Sequence, residues 1–334
     1  MSDDIRASEV LQGGVVGPQA PPEQEPPTEN LARRELAGTR TLWGDAWYRL
    51  RRNKMALAAL TWIVILVAVT LTADLWVPQH FGMPNAINTA TAEANQFLGP
   101  SLGHPFGTNQ LGQDMFSQVV YGARVSLSVG FLAVAIAVVV GLLLGAISGF
   151  YGGLADTLIM RVADVFLAFP YIIFALLVLS VLPRDFVTGS ILPTVLTIGV
   201  LGWPSIARVL RSSILSVKQN DYVDAGRALG ANDGRLIMRH ILPNAIAPIL
   251  VYATMSVGGA ILTEAALSFL GLGILPNNLS TMISWGQMIA QGQPYLTSSP
   301  GVVLWPGLAI VTTVLAFTLL GDGVRDALDV KMKD

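Results

Sequence analysis

Residues 125–150 read VSLSVGFLAVAIAVVVGLLLGAISGF, a run of 26 without one Asp, Glu, Lys or Arg. A helix of that length rises about 39 Å, more than the roughly 30 Å of hydrocarbon in a bilayer. Five further stretches of similar character lie on either side of it. They are Met55 to about Val77, with Asp74 near the far end, about Val162 to Leu182, with Asp164 near its start, and about Phe186 to Ala207. Then come Pro243 to about Gly271, carrying Glu264, and about Val302 to Leu320. Glycines and prolines inside these runs argue against water-soluble helices but are tolerated in membrane bundles. The expected fold is an all-α polytopic membrane protein with six transmembrane helices.

The whole chain agrees with its parts. Of 334 residues only 13% are charged, about half the roughly 25% of soluble domains, and the mean hydropathy is +0.58. A net charge of -2 excludes a nucleic-acid binder working through a large basic surface. The absence of cysteine excludes disulfide frameworks, zinc ribbons and thiol nucleophiles. The histidines, at 80, 104 and 240, are too scattered to suggest a metal cluster. None of the lysines (54, 218, 331, 333) follows a glycine, so no phosphate-cradling P-loop is present. Gly145-Ala146-Ile147-Ser148-Gly149 resembles a serine-hydrolase elbow only superficially, with no histidine in any span. Gly141, Gly145, Gly149 and Gly153 instead form a stripe suited to close helix packing.

Orientation follows from the basic residues. With both termini inside, 18 of the 20 Lys and Arg face the cytoplasm, and only Arg124 and Arg184 lie outside. Residues 1–40, rich in Pro, Glu and Gln without apolar periodicity, read as a disordered cytoplasmic tail. In 41–54, Trp43, Trp47 and Leu50 share a face beside Arg49, Arg51 and Arg52, as in an interfacial helix. An ordinary aromatic belt with anchoring arginines fits equally. The remaining chain, 55–334, is expected to form the six-helix domain in contact with membrane lipid.

Outside the spans, the cytoplasmic loop 216–242 is the most informative segment. Asp221 and Asp224 near its start and Arg227 near the end of one helical turn-pair suit the dipole of a short helix. Gly230 is placed to stop that helix in a left-handed cap, and Asp233 is expected to cap a second one. Tyr222, Ala225, Gly226 and Leu229 share a face, where small residues allow a partner close to the backbone. On pattern alone, a plain loop with a short surface helix fits as well.

The segment resembles the EAA loop of ABC-importer permeases. Asp224-Ala225-Gly226 stands at its Glu-Ala-Ala, Gly230 at its glycine and Leu242-Pro243 at its ending, with His240 at the Ile position. Arg239-His240-Ile241-Leu242-Pro243-Asn244 is similar to the dipeptide/oligopeptide/nickel branch, in its second permease subunit. Further similarity covers nearly everything after residue 40. It includes Arg51-Arg52-Asn53-Lys54, Gly122-Ala123-Arg124-Val125, Phe150-Tyr151-Gly152-Gly153, Leu267-Ser268-Phe269-Leu270-Gly271 and Gly321-Asp322-Gly323-Val324-Arg325. Asn109, Gln113 and Gln118 depart from the family's frequent Asp, Arg and Arg, and Ile274 to Ile283 is longer than usual.

The resemblance implies a type I ABC-importer permease fold in a bacterial cytoplasmic membrane, forming half of a translocation path for di- or oligopeptides or related small solutes. It implies ATPase-coupling roles for Tyr222, Asp224, Ala225, Gly226, Ala228, Leu229, Gly230 and Pro243. The implied partners are a homologous second permease, two ATP-binding subunits or one fused pair, and an extracytoplasmic substrate-binding protein. The chain itself is then no enzyme and holds no cofactor, with ATP and Mg in the partner ATPases. The alternative class is a secondary transporter or channel working without ATP. Such proteins carry ionisable relays or repeats, whereas only Glu264 lies well within a span here. Glu264 is expected either at the translocation path or in a hydrogen-bonded helix contact near the outer end of span five. Arg161 and Asp164, three residues apart, are expected to pair locally.

Overall fold

The apolar stretches become helices, but charged residues fail to end them where the sequence suggests. A computed structural model describes residues 42–80, 95–274 and 282–328. The tail expected over 1–40 lies outside the described residues. The chain divides into units 1–44 and 45–334, the second holding the helical bundle. The helices used below are α1 Leu42–Arg52, α2 Lys54–His80, α3 Met115–Tyr151, α4 Gly153–Ala168 and α5 Tyr171–Val181. They continue with α6 Leu192–Val217, α7 Asp221–Ala228, α8 Ala247–Phe269, α9 Trp285–Gly292 and α10 Gly301–Leu328. Among the described residues the only sheet-like pairing is an isolated bridge, Thr108 to Asp114.

Five helices, α2, α3, α6, α8 and α10, are long and apolar enough to cross a membrane. The third expected span is not one helix. It divides into α4 and α5, which bend by 90° and supply the sixth crossing if they traverse as one. The break falls at Phe169-Pro170. Pro170 has no N–H for the ladder and drives the preceding residue out of the helical region, and Phe169 is extended at φ -91° and ψ 140°.

Two other helices overrun their expected ends because tertiary contacts satisfy their charges. α3 starts ten residues before Val125, where the Asp114 carboxylate caps it by accepting from the Ser117 N–H at 2.7 Å. Arg124 is carried inside the helix because its guanidinium reaches Asp74 Oδ2 (2.9 Å) and the Thr70 carbonyl (2.8 Å) on α2. α6 runs ten residues past Ala207 because Arg208 and Arg211 are paired with aspartates of α4.

The centre of the bundle is the α3–α6 pair. A Cβ on Gly141 would meet Ile206 at 2.6 Å, one on Gly145 the Ala207 carbonyl at 2.8 Å, and one on Gly149 Ile214 at 3.0 Å. Three members of the glycine stripe thus set backbone approach. The fourth, Gly153, meets nothing and instead takes φ +55° in the α3–α4 turn. α8 packs on α3 and α10, and α10 on α2.

Candidate functional site

α7 stands on the bundle by one face. Val223 is fully buried, in a cluster with Ile214 of α6, Leu236, Ile241, Ala245 and Ile249 of α8. Tyr222 and Leu229 are 43% and 88% exposed, and Asp221, Asp224, Ala225 and Ala228 are exposed with them. Gly226 turns the other way. A Cβ there would meet Leu236 Cδ2 at 3.0 Å, so its missing side chain accommodates this chain's own packing rather than an outside partner. The outward face is therefore Tyr222, Ala225 and Leu229, at i, i+3 and i+7. Asp224 pairs with Arg227 at 3.5 Å, an exposed contact of little energetic weight.

Gly230 closes the helix as expected. It has φ +77°, and the Ala231 N–H returns to the Gly226 carbonyl at 3.1 Å. The next helical turn is capped by Asn232, not Asp233: Asn232 Oδ1 accepts from the Arg235 N–H at 2.9 Å. An Asx side chain must sit outside the first helical residue to reach that N–H, and Asp233 is already inside. Residues Leu236–Ile241 then form a π-helical turn just before Pro243. A proline cannot donate and crowds the carbonyl four residues back, and the wide turn relieves both demands. The exposed His240 carbonyl is taken up by Asn244 Nδ2 at 2.7 Å. Pro243 lies exposed at the foot of this segment.

Glu264 is not part of that assembly. It lies 17 residues beyond the start of α8, about 26 Å along the axis. Its side chain is fully buried. Ser126 of α3 donates to Oε2 at 3.1 Å and Ser268 to Oε1 at 2.7 Å. The same Ser126 hydroxyl accepts from the Trp285 N–H at 3.3 Å, and Ser284 donates to Ser268 at 3.3 Å. Trp285, itself buried, donates from Nε1 to the Val119 carbonyl at 2.9 Å. The geometry is that of the helix-contact expectation. Glu264 ties α8, α3 and the start of α9 together and lines neither of the cavities described next.

A cavity of about 250 Å³ opens between α3, the α4–α5 bend, α6 and α8. Its polar wall is made of hydroxyls: Tyr171, Ser205, Tyr252, Ser256 and Thr263, and no charged residue lines it among the described residues. The Tyr171 hydroxyl donates to the Ile198 carbonyl of α6 at 2.9 Å. Ser256 and Thr263 donate to the carbonyls of Tyr252 (2.7 Å) and Gly259 (2.9 Å) in their own helix. A second cavity of about 600 Å³, shared by α6, α8 and α10, is lined by Val209, Pro248, Val251, Met255 and Arg325, and Tyr252 faces both. The spacing 252, 256, 259, 263 puts a hydroxyl or a glycine on one face of α8. That spacing is visible in the sequence, but a period of polar groups inside a span does not say whether it meets a cavity or a neighbouring helix.

Charged ties join α4 and α3 to α6 near α7. Arg211 Nε and Nη2 reach Asp156 Oδ1 and Oδ2 at 2.5 and 2.6 Å, and Ser148 of α3 donates to the same Oδ1 at 2.5 Å. Arg208 bonds Asp164 closely, whereas Arg161, the expected local partner, stands at 3.9 Å. The Arg208 guanidinium reaches Asp164 across from the facing helix α6, while an i,i+3 pair in α4 must bend back along its own helix. Lys218 donates to the Phe150 carbonyl at 2.6 Å, capping the end of α3.

With this geometry in view, residues 141–334 match the family described as binding-protein-dependent transport system inner membrane component. Residues 41–100 match the N-terminal transmembrane domain of oligopeptide transport permease C. The dipeptide transport system permease protein DppC of Alkalihalophilus pseudofirmus is 40% identical over 291 residues, 87% of this chain and 90% of that one. The oligopeptide transport system permease protein OppC of Bacillus subtilis is 37% identical over 305 residues, 91% and 93% of the two chains. The glutathione transport system permease protein GsiD of Pectobacterium atrosepticum is 37% identical over 297 residues, 88% and 93% of the two. Among solved structures, the inward-facing MetNI methionine ABC transporter aligns with a TM-score of 0.51 at 19% identity, over 64% of this chain and 97% of that one. At that identity the likeness speaks for the fold alone.

Proposed function

Because the chain belongs to the binding-protein-dependent transport system inner membrane component family, we propose that it is one permease half of an ATP-driven importer of di- or oligopeptides or related small solutes. The observation that carries this is the stance of α7: Val223 rooted in the bundle core, Tyr222, Ala225 and Leu229 presented outward. A short helix so built has a packed base to transmit force and an exposed face, with the small Ala225 between Tyr222 and Leu229, to receive a partner. ATP–Mg belongs to separate ATP-binding subunits, two chains or one fused pair, which seat on that face. A homologous second permease completes the path, and an extracytoplasmic binding protein delivers the solute. The membrane is the bacterial inner membrane, with both termini and α7 inside.

Coupling draws on Tyr222, Asp224, Ala225, Ala228 and Leu229 at the contact, with Gly226, Gly230 and Pro243 shaping the element from behind. The hydroxyl-lined cavity suits a peptide solute. Hydroxyls already donating to helix carbonyls keep lone pairs for a passing N–H, and a wall without charges holds no side chain of either sign. Copurification from membranes tests the reading. A P-loop ATPase and a second permease should accompany the tagged chain, and ATP hydrolysis in proteoliposomes should rise with the loaded receptor. A chain that purifies without any ATPase and transports without ATP is a secondary transporter.

A further inference from the structure

α4 is an apolar helix joined to the bundle by a narrow packed stripe and by its charges. Of its 16 residues only Ala163 is buried, and Leu154 and Leu158 are 83% and 66% exposed. Beside the packing of Ile159, Met160 and Ala163 with Trp203 and Ala207 of α6, it is tied to the bundle by the fork-to-fork bond of Asp156 to Arg211, reinforced by Ser148, and by the close bond of Asp164 to Arg208. Two parallel N–H···O bonds set orientation as well as distance. The Asp156 and Arg211 side chains are only 21% and 34% exposed, so water screens them in part.

Both arginines sit on the last turns of α6, which leads through Lys218 and Asn220 directly into α7. The glycine stripe and the Lys218–Phe150 bond bind α3 to the same half of α6. At its far end α4 stops at the extended Phe169 and the 90° bend. Leu167, just before that bend, and Tyr171, just after it, both line the smaller cavity, and Tyr171 bonds the Ile198 carbonyl beyond. A continuous chain of contacts therefore runs from α7 to the cavity wall, and the helical backbone along it breaks at Lys218–Asn220, between α6 and α7, and at Phe169-Pro170.

We infer that Asp156–Arg211, with Asp164–Arg208 beside it, is the strut that makes α4 move with α7 and so works the α4–α5 bend against the cavity. The inference rests on the proposed coupling role of α7. Asp156 and Arg211 are positioning residues: they touch neither solute nor nucleotide and act through Leu167 and Tyr171. A pair that merely stabilised the fold would lower assembly, hydrolysis and uptake together. A strut, when cut, separates hydrolysis from uptake.

The test uses the complete transporter in proteoliposomes. Asp156→Asn and Arg211→Gln should assemble with the partner subunits and hydrolyse ATP at the parent rate, while peptide uptake per ATP falls by about tenfold, the size expected for loss of one coupling contact. The exchanged pair Asp156→Arg/Arg211→Asp should recover much of that ratio. Parent-like uptake per ATP in both single variants overturns the inference, as does a parallel fall of hydrolysis and uptake. A second measurement serves if the single variants fold poorly. Spin labels at Leu154 and Leu215 should keep one separation in the nucleotide-free and vanadate-trapped states, while labels at Leu158 and Leu177 change theirs. A change in the first distance overturns the strut. Absence of any ATPase with the parent chain instead overturns the functional reading, before any variant is made.

Discussion

At the scale of single residues, burial and backbone angle separate roles that composition leaves together. Glu264 is fully buried, with serine hydroxyls as its partners. Replacing it by leucine strips the acceptor from Ser126 and Ser268, a loss of about 1–3 kcal/mol for buried groups left unsatisfied. Glutamine keeps an acceptor in place. Thermal unfolding of the detergent-solubilised chain, read from tryptophan emission with Trp285 beside the site, should place Glu264→Gln near the parent and Glu264→Leu well below it. Equal midpoints for leucine and parent would mean the carboxylate holds nothing. Gly230 makes the complementary case: a Cβ there meets no atom, so only its φ of +77° resists substitution. Alanine should cost about 1 kcal/mol and valine more, because a branched Cβ fits the left-handed region worse. Transport should fall in the order Gly, Ala, Val, and an Ala variant no better than Val would point to lost contact instead.

Among the elements, α7 has two faces with different duties, and substitutions on each should fail differently. Ala225→Trp fills the outward face; the chain should insert and melt like the parent yet lose copurification of the ATPase subunit. Gly226→Trp collides with Leu236, so it should lower the stability of the permease itself by the roughly 1–3 kcal/mol typical of overpacking. If Ala225→Trp assembles and transports normally, the outward face is not the docking face. The α3–α6 pair invites a parallel experiment. Gly145→Leu would drive a branched side chain into the Ala207 backbone, and both membrane insertion yield and melting temperature should drop.

For the molecule as a whole, the bias of basic residues predicts that both termini and α7 lie on the cytoplasmic side. The chain has no cysteine, so single cysteines report cleanly. A membrane-impermeant thiol reagent on intact spheroplasts should label Leu102→Cys, a fully exposed position in the α2–α3 connection, and spare Asn232→Cys; labelling of the latter inverts the topology. The number of apolar stretches, their approximate places, the helix ended by Gly230 and the packing role of Gly141, Gly145 and Gly149 were legible in the sequence, because each follows from local demands: hydrocarbon thickness, a left-handed cap, the absence of a Cβ. What local pattern could not supply was the fate of each charge and each polar face. Arg124, Arg208 and Arg211 look like span ends until Asp74, Asp164 and Asp156 arrive from other helices to pair with them. Gly226 looks like a bare contact surface until Leu236 fills the space before it. The hydroxyls of Tyr171, Ser205 and Tyr252 are far apart in the chain and become one wall only when α5, α6 and α8 meet. A sequence specifies which groups must be satisfied, while the partners that satisfy them are set by contacts between residues tens of positions apart, and those exist only in the packed bundle.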